Sequence, residues 1–187
     1  MKILENLYVT MTIGLILALI LMFGVGHSPA APEVLRWLHV FFGITWIGLL
    51  YYFNFVQTPT MPKVPAELKP GVSKYIAPSA LFYFRWGAAF TVLTGLILAG
   101  LNHYLSEALT FKPGHVLIGT GMWLALIMAF NVWFIIWPAQ KRVLGMVEAD
   151  DASKAKSARV ALAASRINTL LSLPMLVAMA TYAQNSW

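Results

Sequence analysis

His39 and His115 are the residues of this sequence best suited to chemistry. Each stands at the start of an apolar stretch long enough to cross a bilayer, and each is followed one helical turn later by a glycine, Gly43 and Gly119. An ionisable side chain at membrane depth is costly unless it is partnered, so both are functional candidates. Two neutral imidazoles facing each other inside a helical bundle can ligate the iron of a b-type haem from both sides. In that arrangement Gly43 and Gly119 leave room for the flat macrocycle, while Trp46, Met122 and Trp123 pack on its faces. Arg36, one turn before His39, is the nearest cation for the haem carboxylates. The competing reading is structural, because a histidine within a turn of the membrane surface often makes only an interfacial hydrogen bond. His27 and His103, in or beside loops, fit that structural role. A metal site built from three or four of the histidines is a further alternative, since imidazole suits copper and zinc. Their dispersed positions lack the close spacing of known zinc sites.

A second polar layer lies at the other ends of the same segments: Asn54, Arg85, Asn131, Arg166 and Asn168. No Asp or Glu falls inside any apolar segment, so the two arginines have no carboxylate partner there. Either they snorkel toward water, or with the asparagines they hold an anionic or carbonyl group such as a lipid phosphate or a quinone head group.

The elements that position these residues follow from composition. Of 187 residues, 59% are hydrophobic and only 11% charged, against roughly a quarter charged in a soluble domain. The chain is therefore expected to be a single all-α integral membrane domain spanning 1–187, with five transmembrane helices at about 7–25, 33–56, 81–101, 115–137 and 161–182. The first run resembles a signal peptide, but its length is close to the ~20 residues a spanning helix needs, so it is expected to be retained. The stretch 58–78 holds five prolines and is expected to be an irregular surface loop. The stretch 141–159 is expected to extend one helix and then re-enter as an amphipathic segment. Trp37, Trp86, Trp133, Trp137 and Trp187 fall near segment ends, where an aromatic belt belongs. Gly95 and the small residues of 161–165 are expected to be close-packing positions.

Charge sets the orientation. Lys2, Lys63, Lys69, Lys74, Lys141, Arg142, Lys154, Lys156 and Arg159 flank the segments on one side, against Lys112 in the loops of the other, with Arg36 at a helix start. The positive-inside rule places the N-terminus in the cytoplasm and the C-terminus outside. Topology thus explains the net charge of +6 without nucleic acid. The second to fifth segments are expected to form a four-helix bundle with a parallel internal repeat. His39-Val-Phe-Phe-Gly43 is echoed by His115-Val-Leu-Ile-Gly119, and Phe53-Asn54 by Phe130-Asn131, each followed by a proline.

Cysteine is absent, which excludes disulfides, thiolate metal sites and covalent attachment of a c-type haem. There is no glycine-rich phosphate loop, no His-Glu zinc pair and no in-membrane carboxylate for general-acid work. A proton or cation transporter would normally need such a carboxylate.

The run from His39 to Phe55 resembles the signature helix of the urate oxidase N-terminal family, the membrane part of bacterial urate hydroxylase. The stretches 127–141 and 165–174 are similar to two further signatures of that family, and Phe84-Arg85-Trp86 adds a shorter likeness. The resemblance implies a redox module of the bacterial inner membrane in a short form without the family's cytochrome c domain, passing electrons to a separate carrier. The expected function is electron transfer through haem b bound by His39 and His115. Partners are the bilayer and other membrane subunits or a cytochrome, with a quinone as an additional possibility. The alternatives are a non-catalytic accessory subunit of a larger membrane complex, and a urate-type oxidase that depends on a separate cytochrome.

Overall fold

The computed structural model describes residues 2–24 and 29–184; His27 and Trp187 lie outside them. Among the described residues every regular element is helical. After a short turn of helix at Lys2–Glu5 comes α1 (Leu7–Phe23), started by Asn6, whose side chain accepts from the backbone N–H groups of Tyr8 and Val9. That bond satisfies donors that a helix start leaves open. Four long rods follow: α2 (Ala31–Lys63), α3 (Lys69–Leu101), α5 (Val116–Val143) and α6 (Asp151–Gln184). The short α4 (Leu105–Leu109) sits between α3 and α5. Asp150 caps α6 by accepting from the Ser153 N–H at 2.6 Å.

The four rods are long and apolar enough to cross a membrane. At 1.5 Å rise per residue, the 33 residues of α2 reach about 50 Å, well past a hydrocarbon core of about 30 Å. Their outward faces carry large apolar side chains, Ile44, Phe82, Leu93, Phe134 and Leu170 among them, all at least half exposed. The interior is filled partly by small residues, Gly87, Ala88, Gly121, Ala164 and Ala178. Large residues outside and small ones between helices is the pattern of packing in lipid, where helix association comes from close backbone approach. The protein is thus a multi-pass helical membrane protein. α1 is apolar but has 17 residues and buries none of them, so it stands apart from the bundle.

Much of the stretch expected as an irregular loop is helix. α2 continues to Lys63 and α3 begins at Lys69, leaving only 64–68 as the link. Pro59, Pro78 and Pro138 stand within rods because the turn before each widens to π geometry, at Tyr52–Gln57, Val72–Ile76 and Asn131–Ile136. The residue before each proline, Thr58, Ala77 and Trp137, donates to the carbonyl five residues back, on Phe53, Val72 and Val132. Proline lacks an N–H and its ring strikes the carbonyl four residues back, so a widened turn lets the rod pass through it. The stretch 141–159 extends α5 to Val143 and re-enters as the first turns of α6 from Asp151, so that the last rod starts ten residues before the expected fifth segment.

Sequential rods pack as antiparallel pairs, α2 along α3 and α5 along α6, and the pairs join through α3–α5 and α2–α6. α2 and α5 therefore face each other across the bundle. The main core is centred on Trp46, Leu50, Phe84, Met128 and Val132, all essentially fully buried. A smaller cluster at the other end joins Ala99, Ala108, Ile118 and Met122.

Candidate functional site

Between these two clusters the bundle encloses a cavity of about 420 Å³, to which α2, α3, α5, α6 and the α3–α4 connection all contribute walls. Such a volume lies in the range of small-molecule and cofactor sites. His39 lines it from α2. Its Nδ1 lies 2.9 Å from the Thr91 carbonyl oxygen of α3. A carbonyl only accepts, so Nδ1 carries the proton and Nε2 keeps its lone pair. The Thr94 hydroxyl approaches Nδ1 at 3.4 Å, but its own hydrogen is directed to the Phe90 carbonyl at 2.6 Å. Among the described residues no hydrogen-bond partner is found for Nε2. Holding a histidine by one ring nitrogen to free the other for a ligand is how metal-binding imidazoles are oriented.

Gly95, one turn after Thr91, makes this seat possible. A Cβ added there would lie 2.8 Å from His39 Cε1 and 3.0 Å from Nδ1, inside ordinary contact distance. Arg36 lines the same cavity from the turn before His39, and Asn102 and Tyr104 line it from the end of α3 and the connection beyond. Met122 of α5 and Met179 and Tyr182 of α6 close it opposite His39. The Tyr104 phenol is pushed above its ordinary range by burial and by Tyr182, against an opposing pull from Arg36.

His115 reaches the same end of the bundle but a different setting. It caps the start of α5 and stacks on Tyr104 with ring centroids 5.9 Å apart and planes at 22°. Tyr182 lies against it at 6.4 Å. Both tyrosines are cavity walls, so His115 packs on the walls rather than contributing to the lining. Among the described residues its Nδ1 is buried without a partner.

The two glycines expected beneath a macrocycle do other work. A Cβ on Gly119 would strike the Ala108 carbonyl oxygen, so Gly119 is where α4 docks on α5. Gly43 faces α3, with Thr91 Cγ2 at 3.9 Å from a Cβ built there, an ordinary contact. Trp46 is fully buried in the main core, its backbone pressed on Gly87, rather than lining the cavity. Trp123 is 43% exposed and donates its Nε1–H to the Leu109 carbonyl. Of the expected cofactor contacts, the cavity brings together His39, Arg36 and Met122. Thr91, Thr94, Tyr104 and Tyr182 were missed. The signal for the first two was the run Thr91-Val-Leu-Thr94-Gly95, two hydroxyls and a glycine within one turn of an otherwise apolar helix.

The opposite polar layer is largely spent on itself. Asn131 Nδ2 donates to Asn168 Oδ1 at 2.9 Å, and Asn168 Nδ2 donates to the Met128 carbonyl at 3.0 Å. Asn54 Nδ2 donates to the Leu50 carbonyl and to Ser165 Oγ. These bonds tie α2 and α5 to α6. The Arg85 guanidinium carbon stands 3.3 Å over the Trp137 ring, a cation–π contact. Trp133 donates to the Arg85 carbonyl. Arg166 is exposed. The asparagines of the layer thus act as interhelical glue, while among the described residues Asn54 Oδ1 and Arg85 Nη1 are buried without a hydrogen-bond partner.

His103 adopts the left-handed conformation, with φ of 59°, just past the end of α3. Its N–H bonds to the Gly100 carbonyl and that of Tyr104 to the Ala99 carbonyl, the two-bond cap that closes a helix end. A structural role therefore suffices for it. Among the described residues no three His, Cys, Asp or Glu side chains gather in a way that could hold a metal, so the alternative of a site made of histidines alone finds no support there.

Comparison with known proteins adds one match. No curated protein and no solved structure matches the chain significantly. The family model described as urate oxidase N-terminal matches residues 107–184. That stretch takes in α5 and α6 with His115, Met122, the Asn131–Asn168 pair and Tyr182. It includes two of the three signature stretches recognised in the sequence. Residues 107–184 are thus similar to the urate oxidase N-terminal family.

Proposed function

We propose that the protein is a membrane-embedded redox module that holds a b-type haem in the cavity beside His39. The observation that carries this reading is the His39 seat: Nδ1 fixed on the Thr91 carbonyl, Gly95 making room for the ring, and Nε2 left with its lone pair. The residues present suit the group. His39 would hold it through Nε2, Arg36 would meet the carboxylates, and Leu98, Ile118 and Met179 would enclose an apolar ring. When bound, a haem supplies reversible one-electron chemistry. The chain's own part is to orient His39, exclude water through the apolar walls, and set the field with Arg36.

A second residue to hold the group would come from α5, which offers two candidates. His115 Nδ1 has no partner among the described residues but its ring is stacked on Tyr104, whereas Met122 lines the cavity directly. A pyridine haemochrome spectrum of the purified protein is expected to show b-type haem, and His39→Ala is expected to abolish it. Haem-free protein, or an unchanged spectrum in His39→Ala, would overturn the reading. His115→Ala and Met122→Ala, made separately, tell which of the two would help hold the haem, by which one alters the spectrum.

The finer topology belongs to the same proposal. α1 serves as a fifth span, the lysine-rich side faces the cytoplasm of a bacterial inner membrane, and α2–α3 and α5–α6 are parallel repeats. The shared π turn at Phe53-Asn54 and Phe130-Asn131 supports the repeat. A second reading, an accessory subunit of a larger complex, is favoured by α1, none of whose residues is buried in this chain. Electrons would pass to a separate cytochrome or a quinone. Urate-dependent reduction of the haem tests whether the module is also a urate-type oxidase.

A further inference from the structure

At the end of the bundle away from His39, a second depression of about 590 Å³ lies between the last turns of α5 and the first turns of α6. Its lower wall is apolar: Phe134, Pro138 and Val160, of which Phe134 is 68% and Val160 41% exposed. Its upper wall is cationic, with Arg142 from α5 and Lys156 from α6. Ser157, 94% buried by its 6% exposure, sits within it. Among the described residues neither Arg142 nor Lys156 is in an ion pair. Of the nearby carboxylates, Asp150 caps α6, Asp151 pairs with Lys154 at 3.8 Å, and Glu148 lines a separate depression. Among the described residues no carboxylate lines the depression.

We propose that this groove binds the phosphate head group of an anionic phospholipid, with one acyl chain lying against Phe134, Pro138 and Val160. Two unpaired cations from different helices converge above an apolar wall on a rod that crosses the membrane. That is the order of charge and apolarity an anionic lipid presents at the interface. A guanidinium offers paired donors to phosphate oxygens, an ammonium a compact charge, and the Ser157 hydroxyl a further donor. A bound lipid would bridge α5 to α6 where the link 144–150 is the only covalent tie. The inference is independent of the haem, since it uses none of the residues around His39.

The test uses the full chain purified in detergent, with lipid adducts counted by native mass spectrometry. The probes are dioleoyl-phosphatidylglycerol, dioleoyl-phosphatidylcholine and inorganic phosphate. Retention of phosphatidylglycerol over phosphatidylcholine is expected, and Arg142→Ala with Lys156→Ala should weaken it roughly thirtyfold, at one interfacial cation's usual worth each. Arg142→Lys with Lys156→Arg should stay within about threefold of wild type, since both charges remain. Far-ultraviolet circular dichroism verifies that the double alanine variant keeps its helix, and should it not, Phe134→Ser is read instead, expected to weaken the lipid and not inorganic phosphate. Equal retention of both lipids, no loss on removing the charges, or binding of inorganic phosphate as tight as the lipid would each overturn the proposal.

Discussion

Replacing Gly95 by alanine is expected to unseat His39. The new Cβ would lie 2.8 Å from Cε1 and 3.0 Å from Nδ1 of the imidazole. The ring cannot simply rotate away, because Nδ1 is held 2.9 Å from the Thr91 carbonyl. Forcing a methyl into such a contact costs about 1–3 kcal/mol, and a strained or lost hydrogen bond adds about 0.5–1 kcal/mol. Alanine's better helix propensity returns about 1 kcal/mol. The net loss is therefore about 0.5–3 kcal/mol, read from denaturant titration of helix content in detergent, together with loss or alteration of the haem spectrum. Gly43→Ala is the control, because its Cβ would meet only Thr91 Cγ2 at 3.9 Å; it should be neutral or stabilising by up to about 1 kcal/mol. In a His39→Ala background the obstacle is gone, and Gly95→Ala should become neutral or favourable. That non-additivity is the signature of direct contact. If Gly95→Ala is silent, or costs the same with and without the His39 ring, the seat described here is wrong.

Two further substitutions probe the scaffold. Gly119→Ala should displace α4, since its Cβ would collide with the Ala108 carbonyl oxygen; a loss of about 1–3 kcal/mol is expected, with faster hydrogen exchange in residues 105–109. Asn168→Leu should cost about 1–3 kcal/mol in the same titration, because it leaves the Asn131 amide and the Met128 carbonyl without their buried partner. A stable Asn168→Leu would show that the pair is dispensable glue.

Particular residues show where sequence reasoning reached and where it stopped. The apolar spans were legible because burial in lipid demands length and hydropathy, and both are local properties. The echo of Phe53-Asn54 in Phe130-Asn131 was also legible, and both asparagines lie in π turns ahead of a proline. The 58–78 stretch was misjudged because proline is a helix breaker only when the preceding turn stays at α geometry. Widening that turn is a cooperative backbone response that composition does not show. Likewise the exchange of roles among glycines, Gly95 under the histidine and Gly119 under α4, depends on which helix faces cross.

The sequence by itself determined that this is an apolar, all-helical chain with long spans and with histidines toward one end of them. Hydropathy, periodicity and loop charge are sums over neighbours along the chain, and they survive any rearrangement of the helices. The tertiary structure alone decided which groups meet. It put α2 and α5 across the bundle from each other, gave His39 the Thr91 carbonyl and the Gly95 space, and turned Trp46 into core. It left His115 stacked on Tyr104 and Tyr182. Those outcomes follow from rotation of each helix about its axis and from the approach distance between backbones. Small residues scattered on several helices set both jointly, and no single segment encodes them.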